Sequence, residues 1–140
     1  MWTLKRLEDT EALARHLAHS LPQGSLVVLK GPLGAGKTTL VQHLVRALGF
    51  SGRASSPTYT LIHEYPTPQG LVVHADVYRL ESAGLLKPHL LAYRDEARLI
   101  LVEWGDPEEL EADYLLEIAP TQEGRLVQLL HLGPREEEGI

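Results

Sequence analysis

Leu13, Leu17 and Leu21 stand four residues apart with Ala14 and Ala18 beside them, a spacing that predicts a core-facing helix capped by Asp9 or Thr10. A second helical repeat, Leu40, Leu44, Val45 and Leu48, runs through TTLVQHLVRALGF and stops at Gly49. Between the two lies a short apolar run, Ser25 to Lys30, which predicts a buried strand. The stretch SGRASSPTYTLIHEY starts small and polar, reads as a loop, and leads into a β-branched strand from Thr58 to Tyr65. PTPQG is then a turn and Leu71 to Val77 the returning strand of an antiparallel hairpin. Leu80 to Arg94 is Leu-rich but broken by Gly84 and Pro88, which suits two short helices. Beyond it, Arg98 to Glu103 reads as a buried strand and Pro107 to Glu111 as a helical turn. Asp113 to Ala119 and Arg125 to His131 form a second hairpin around TQEG.

The chain has 140 residues, the size of one domain; we expect that domain over residues 1–134 and a frayed tail over 135–140. Hydrophobic residues make up 44% and no apolar run approaches bilayer length, so no membrane role is expected. The N-terminus carries charges throughout and lacks the features of a secretory signal, which predicts a cytoplasmic protein. Cysteine is absent, which removes disulfides, thiolate metal sites and cysteine nucleophiles. The net charge of -6, with Lys and Arg spread along the chain, lacks the basic footprint of a nucleic-acid binder.

The chemistry concentrates between the Ser25 to Lys30 strand and the second helix. Residues 31–38 read GPLGAGKT, a glycine, four residues, then Gly, Lys and Thr, in the strand, loop, helix context that a phosphate loop requires. Gly31, Gly34 and Gly36 can take backbone angles closed to other residues, so that the amides of the loop, Leu33 and Ala35 included, point inward at phosphate oxygens. The helix dipole adds to the cradle. Lys37 would bridge the β and γ phosphates, the Thr38 hydroxyl would take one position around Mg²⁺, and Thr39 would assist at the α phosphate. Phosphoryl transfer also needs an acid at a strand end, and two fit: Glu103, which ends RLILVE, and Asp76 in LVVHADVYR. His74 falls on the same side of its strand as Asp76 and could orient it, with packing or solvent exposure as the equal alternatives. Arg79 could pair with Asp76 or reach a phosphate, and Trp104 would face away from Glu103 into the core. The histidines show no metal-ligand spacing.

In order along the chain stand GPLGAGKTT, SSPTYTL, HADVYRL and LVEW. This series resembles the TsaE (YjeE) family, small ATPases required in bacteria for making threonylcarbamoyladenosine in tRNA, over about Thr10 to Arg125. The resemblance implies a P-loop NTPase-like three-layer α/β/α sandwich with a mixed parallel/antiparallel sheet, and ATP and Mg²⁺ as cofactors. It implies that Thr38 and Glu103 bind magnesium and that Asp76 positions the attacking water or a water of the metal. Lys37, Asp76 and Glu103 are then the catalytic set, and Ser56, Pro57 and Thr58 a nucleotide-sensing switch. Residues around Leu7 to Thr10, and Arg125, would lie near the adenine and ribose. The implied partners are TsaD and TsaB, with the ATPase resetting their complex between turnovers and tRNA reached only through it. The chain departs from the family at Pro32, where Asp is usual, at Gly105, where Pro is common, and in ESAGLLKPHLLAYRDE, which carries few of the family's acids.

Two other readings share the phosphate loop. A small-molecule kinase would need lid arginines, for which Arg94 and Arg98 are available; a nucleotide-gated binding module would order the loop from Ser51 to Thr58 without useful turnover. ATP is preferred to GTP because no guanine-reading Asn-Lys-x-Asp motif is present.

Overall fold

The computed structural model describes residues 1–32, 34–51, 62–77 and 86–132. Its elements are β1 (Trp2–Leu4), α1 (Leu7–Ser20), β2 (Ser25–Lys30), α2 (Lys37–Ala47), β3 (Ile62–Thr67), β4 (Gly70–Asp76), α3 (Lys87–Leu91), β5 (Ala97–Glu103), β6 (Tyr114–Pro120) and β7 (Arg125–His131). The seven strands form one sheet in the order β1-β7-β6-β2-β5-β4-β3. Its centre is parallel, β6 to β2, β2 to β5 and β5 to β4. Both flanks are antiparallel, β3 on β4 and the β6-β7-β1 meander. This is the mixed α/β sheet expected. The parallel strands β2, β4, β5 and β6 therefore end at one edge, and β7 starts there, so loops from distant parts of the chain meet along it.

Alternation on the sheet divides the core. Val27, Leu29, Leu99, Leu101 and Leu116 face α1 and α2, which present Leu13, Leu17, Leu40 and Leu44, all buried. Leu26, Val28, Ile100 and Val102 point the other way, onto Leu90 of α3 and onto Leu110 and Ala112 of the following turn. The central strands are buried on both faces, which is why they read as continuous apolar runs. Among the described residues the second helical layer is the single five-residue α3. The region expected to hold two short helices lies partly outside the described residues.

Local chemistry corrects several expected boundaries. α1 starts three residues before Thr10, with Arg6 at the N-cap, because Asp9 acts from inside the first turn. Its carboxylate accepts the backbone N–H groups of Lys5 at 2.8 Å and Arg6 at 3.0 Å. β3 runs past Tyr65 to Thr67, so the turn is only Pro68 and Gln69. Pro66 is tolerated because β3 is the last strand of the sheet. The 107–111 segment is a hydrogen-bonded turn in which Asp106 accepts Leu110 N–H through its carbonyl and Glu108 N–H through its carboxylate. Gly49, at φ 100°, closes α2 as expected. The tail over 135–140 is outside the described residues.

Candidate functional site

The loop after β2 turns on three glycines with different duties. A Cβ on Gly31 would lie 2.4 Å from the Ile118 carbonyl oxygen of β6, so this position needs glycine for close approach. Gly34 and Gly36, at φ 80° and 106°, need it for backbone angle, and Gly36 is the N-cap of α2. Ala35 donates its N–H to the Pro32 carbonyl at 3.1 Å and is buried; Leu33 lies outside the described residues. The loop thus ends where the α2 dipole is positive.

Lys37 opens α2 and is 4% exposed, an unusual place for a lysine. Its Nζ donates to the carbonyls of Gly31 and Pro32 and sits 3.9 Å from the centre of the Trp104 ring. Burial lowers its pKa, while the charges of Glu103 and Asp76 work the other way. β5 ends at Glu103, and Trp104 follows with φ 72°, a left-handed angle that turns the ring. Trp104 therefore lines the cleft as well as touching the core, which corrects the expectation that it faces away.

Glu103 is the centre of the polar arrangement. The Thr38 hydroxyl donates to its Oε2 at 2.9 Å and lies 3.2 Å from Oε1. His74 Nε2 lies 2.7 Å from Oε2. Burial pushes the carboxyl upward, but the hydrogen bond and charge of His74, the Thr38 hydroxyl and the Lys37 charge outweigh it and hold Glu103 below the ordinary carboxylate range. An ionised carboxylate only accepts, so His74 carries its proton on Nε2. Of the alternatives the sequence leaves for His74, solvent exposure is excluded by its burial, and its hydrogen bond goes to Glu103 rather than to Asp76, because parallel pairing brings the two strands side by side. Asp76 pairs in register with Glu103 and lines the same cleft.

The cleft, of about 250 Å³, is bounded by Gly34, Gly36, Lys37, Thr38, Thr39, Asp76, Glu103, Trp104 and Arg125. Its volume suits a phosphate chain rather than a whole nucleotide. A wider cleft of about 710 Å³ lies between Leu91, Arg94, Pro107 and Leu132, but Glu108, Glu111 and Asp113 in its wall would repel phosphate. Arg125 reaches the loop from the first residue of β7, its Nε 3.1 Å from where a Gly36 Cβ would be. Thr10 is buried in α1 and is not among the residues around the cleft, although β1 delivers the start of α1 to the same sheet edge. Ser56, Pro57, Thr58 and Arg79 lie outside the described residues.

The donors fit magnesium: a hydroxyl and carboxylates are hard oxygen ligands. Among the described residues no three acids or imidazoles converge as a cage. Arg94 and Arg98, the lid candidates for a kinase, are engaged elsewhere, with Asp113 and with the Ala18 carbonyl.

The missed elements were β1, too short to show a pattern, and the His74 to Glu103 contact, whose residues are 29 apart in sequence.

A family model, Threonylcarbamoyl adenosine biosynthesis protein TsaE, matches residues 4–127. The chain is similar to the tRNA threonylcarbamoyladenosine biosynthesis protein TsaE of Aquifex aeolicus, 35% identical over 124 residues covering 87% of this chain and 88% of that one. It is 42% identical over 113 residues to the protein of that name from Mycobacterium tuberculosis, with 74% and 67% covered. With the Synechocystis protein it shares 44% over 79 residues, 56% of this chain and 50% of the relative, so the match spans about half that relative's length. Among solved structures it is similar to YdiB from Bacillus subtilus, with a TM-score of 0.70, 27% identity, and 94% and 84% covered.

Proposed function

Because the chain belongs to the TsaE family, we propose that it binds Mg-ATP on the Gly31 to Thr38 loop and hydrolyses it slowly, as an accessory ATPase in making tRNA threonylcarbamoyladenosine. The observation that carries this reading is the meeting of Lys37, Thr38, Asp76 and Glu103 in one cleft beside a glycine cradle. The loop amides and the α2 dipole bind the phosphates. Lys37, already stripped of water and held by two carbonyls, exchanges them for β and γ phosphate oxygens. Thr38 and Glu103 hold the magnesium, whose chemistry when bound is to neutralise charge on the β and γ oxygens. Asp76, at the half-exposed end of β4, orients the attacking water or a water of the metal. Arg125 and the start of α1 are the side toward the nucleoside.

The chain would act on a TsaD-TsaB complex, resetting it between turnovers, and would meet tRNA only through that complex. A cytoplasmic setting belongs to the same reading; among the described residues no helix is long and apolar enough to cross a membrane. The experiment is phosphate release from Mg-ATP by the purified chain, alone and with its TsaD and TsaB counterparts. Weak release that rises with partners and falls about 10²-fold or more in Lys37→Ala and Glu103→Ala supports the reading. Tight nucleotide binding with no partner-dependent rise would leave a nucleotide-gated binding module in its place.

A further inference from the structure

His74 has no role in the reading above, yet it makes the shortest contact of the carboxylate on which that reading turns, at 2.7 Å. Both groups are buried, His74 7% and Glu103 3% exposed. A carboxylate so enclosed has few water molecules to orient it, and its rotation is set by whatever side chains it meets. Thr38 is one, but Thr38 is itself the hydroxyl that the bound ion would engage, so it is a poor anchor. His74 is independent of the cleft: it is absent from the cleft wall, stands in the interior of β4 opposite Leu101, and has the His63 ring of β3 at 6.5 Å on its other side.

We infer that His74 is a positioning residue for the proposed magnesium site, its Nε2–H fixing the rotation of the Glu103 carboxylate and leaving the remaining acceptor positions to Thr38 and the cleft. The inference rests on Thr38 and Glu103 being the magnesium-binding pair. It differs from a packing role because it depends on one N–H at one place, and not on the ring. Partners of this kind, one step removed from the ion, typically change metal affinity about 10- to 100-fold when lost.

The test measures ADP binding to the full chain by titration calorimetry across a series of Mg²⁺ concentrations, including a chelated, metal-free sample. His74→Phe keeps a ring without a donor; His74→Gln puts an amide N–H near the position of Nε2. The expected result is a rise in the Mg²⁺ midpoint of about 10- to 100-fold in His74→Phe, with metal-free ADP affinity unchanged, and a midpoint near wild type in His74→Gln. An unshifted midpoint in His74→Phe, or an equal shift in His74→Gln, overturns the inference. If His74→Phe does not fold, His74→Asn, whose amide stops short of Nε2, takes its place with the same expected shift. Failure of the underlying reading looks different: wild-type ADP affinity would then ignore Mg²⁺, and Glu103→Gln would leave it unaltered, removing both.

Discussion

The Lys37 ammonium and the Trp104 ring, 3.9 Å apart, join the first residue of α2 to the residue at which β5 has just ended. A phosphate that takes the ammonium must draw it from the ring, so Trp104 is expected to report binding. In a Trp2→Phe protein, where Trp104 is the remaining tryptophan, Mg-ATP should change the emission; in Trp104→Phe it should not. Lys37→Ala should weaken nucleotide binding about 10- to 100-fold, the worth of one or two charge-assisted hydrogen bonds. Nucleotide titrations followed by fluorescence and calorimetry check both.

The loop glycines should differ in cost. Gly34→Ala meets nothing within 4 Å and carries only the strain of φ 80°, about 1 kcal/mol. Gly31→Ala would drive a methyl against the Ile118 carbonyl and force the loop away from β6, costing more than about 2 kcal/mol. Urea unfolding of the two variants gives the order, and equal midpoints would contradict it.

Most of the sheet was legible because its buried strands are apolar runs and its hairpins carry Pro, Gly and polar turns: Ser25–Lys30 matches its expected bounds. The turn at residues 31–38 was legible because its glycines and the lysine and threonine that open α2 are contiguous in sequence. What was hidden depends on pairing across the sheet. Asp9 sits where a cap would, but works from the third position of α1, since Arg6 has no capping signature. In the sequence Trp104 reads as the next alternating residue of a strand that in fact stops before it. The partner of His74 is set by which strand lies beside β4, and no spacing within HADVYR contains that information.

Asp9 also gives a pH dependence. Its backbone hydrogen bonds from Lys5 and Arg6 lower its pKa below the usual 3.8 in the folded protein. A depressed carboxylate contributes stability that is complete above its unfolded pKa and lost as pH falls through the folded one. Asp9→Ala should therefore lower the urea midpoint at pH near 7 and cease to differ from wild type in strong acid, below both values. A difference that persists undiminished there would exclude this origin.

Asp113 ties three strands at the far edge. Its carboxylate accepts the Leu26 N–H of β2 at 2.8 Å and pairs with Arg94, and its carbonyl accepts Leu132 N–H after β7. Asp113→Ala leaves the Leu26 N–H without that partner and should cost about 1 to 3 kcal/mol. Asp113→Asn, which keeps an acceptor, should lose less than half as much in the same denaturation assay.

The neighbours of β2 impose an order of assembly. β3 and β4 close across two residues, and β6 and β7 across four, so each can form as soon as it is made. β2 waits for both of its borders, residues 97–103 and then 114–120. Gly31 has no wall until Ile118 exists. A chain emerging from the ribosome thus carries the 31–38 loop early but cannot shape it until six of the seven strands have been made, so on the proposed function nucleotide would capture the nearly finished fold rather than template it.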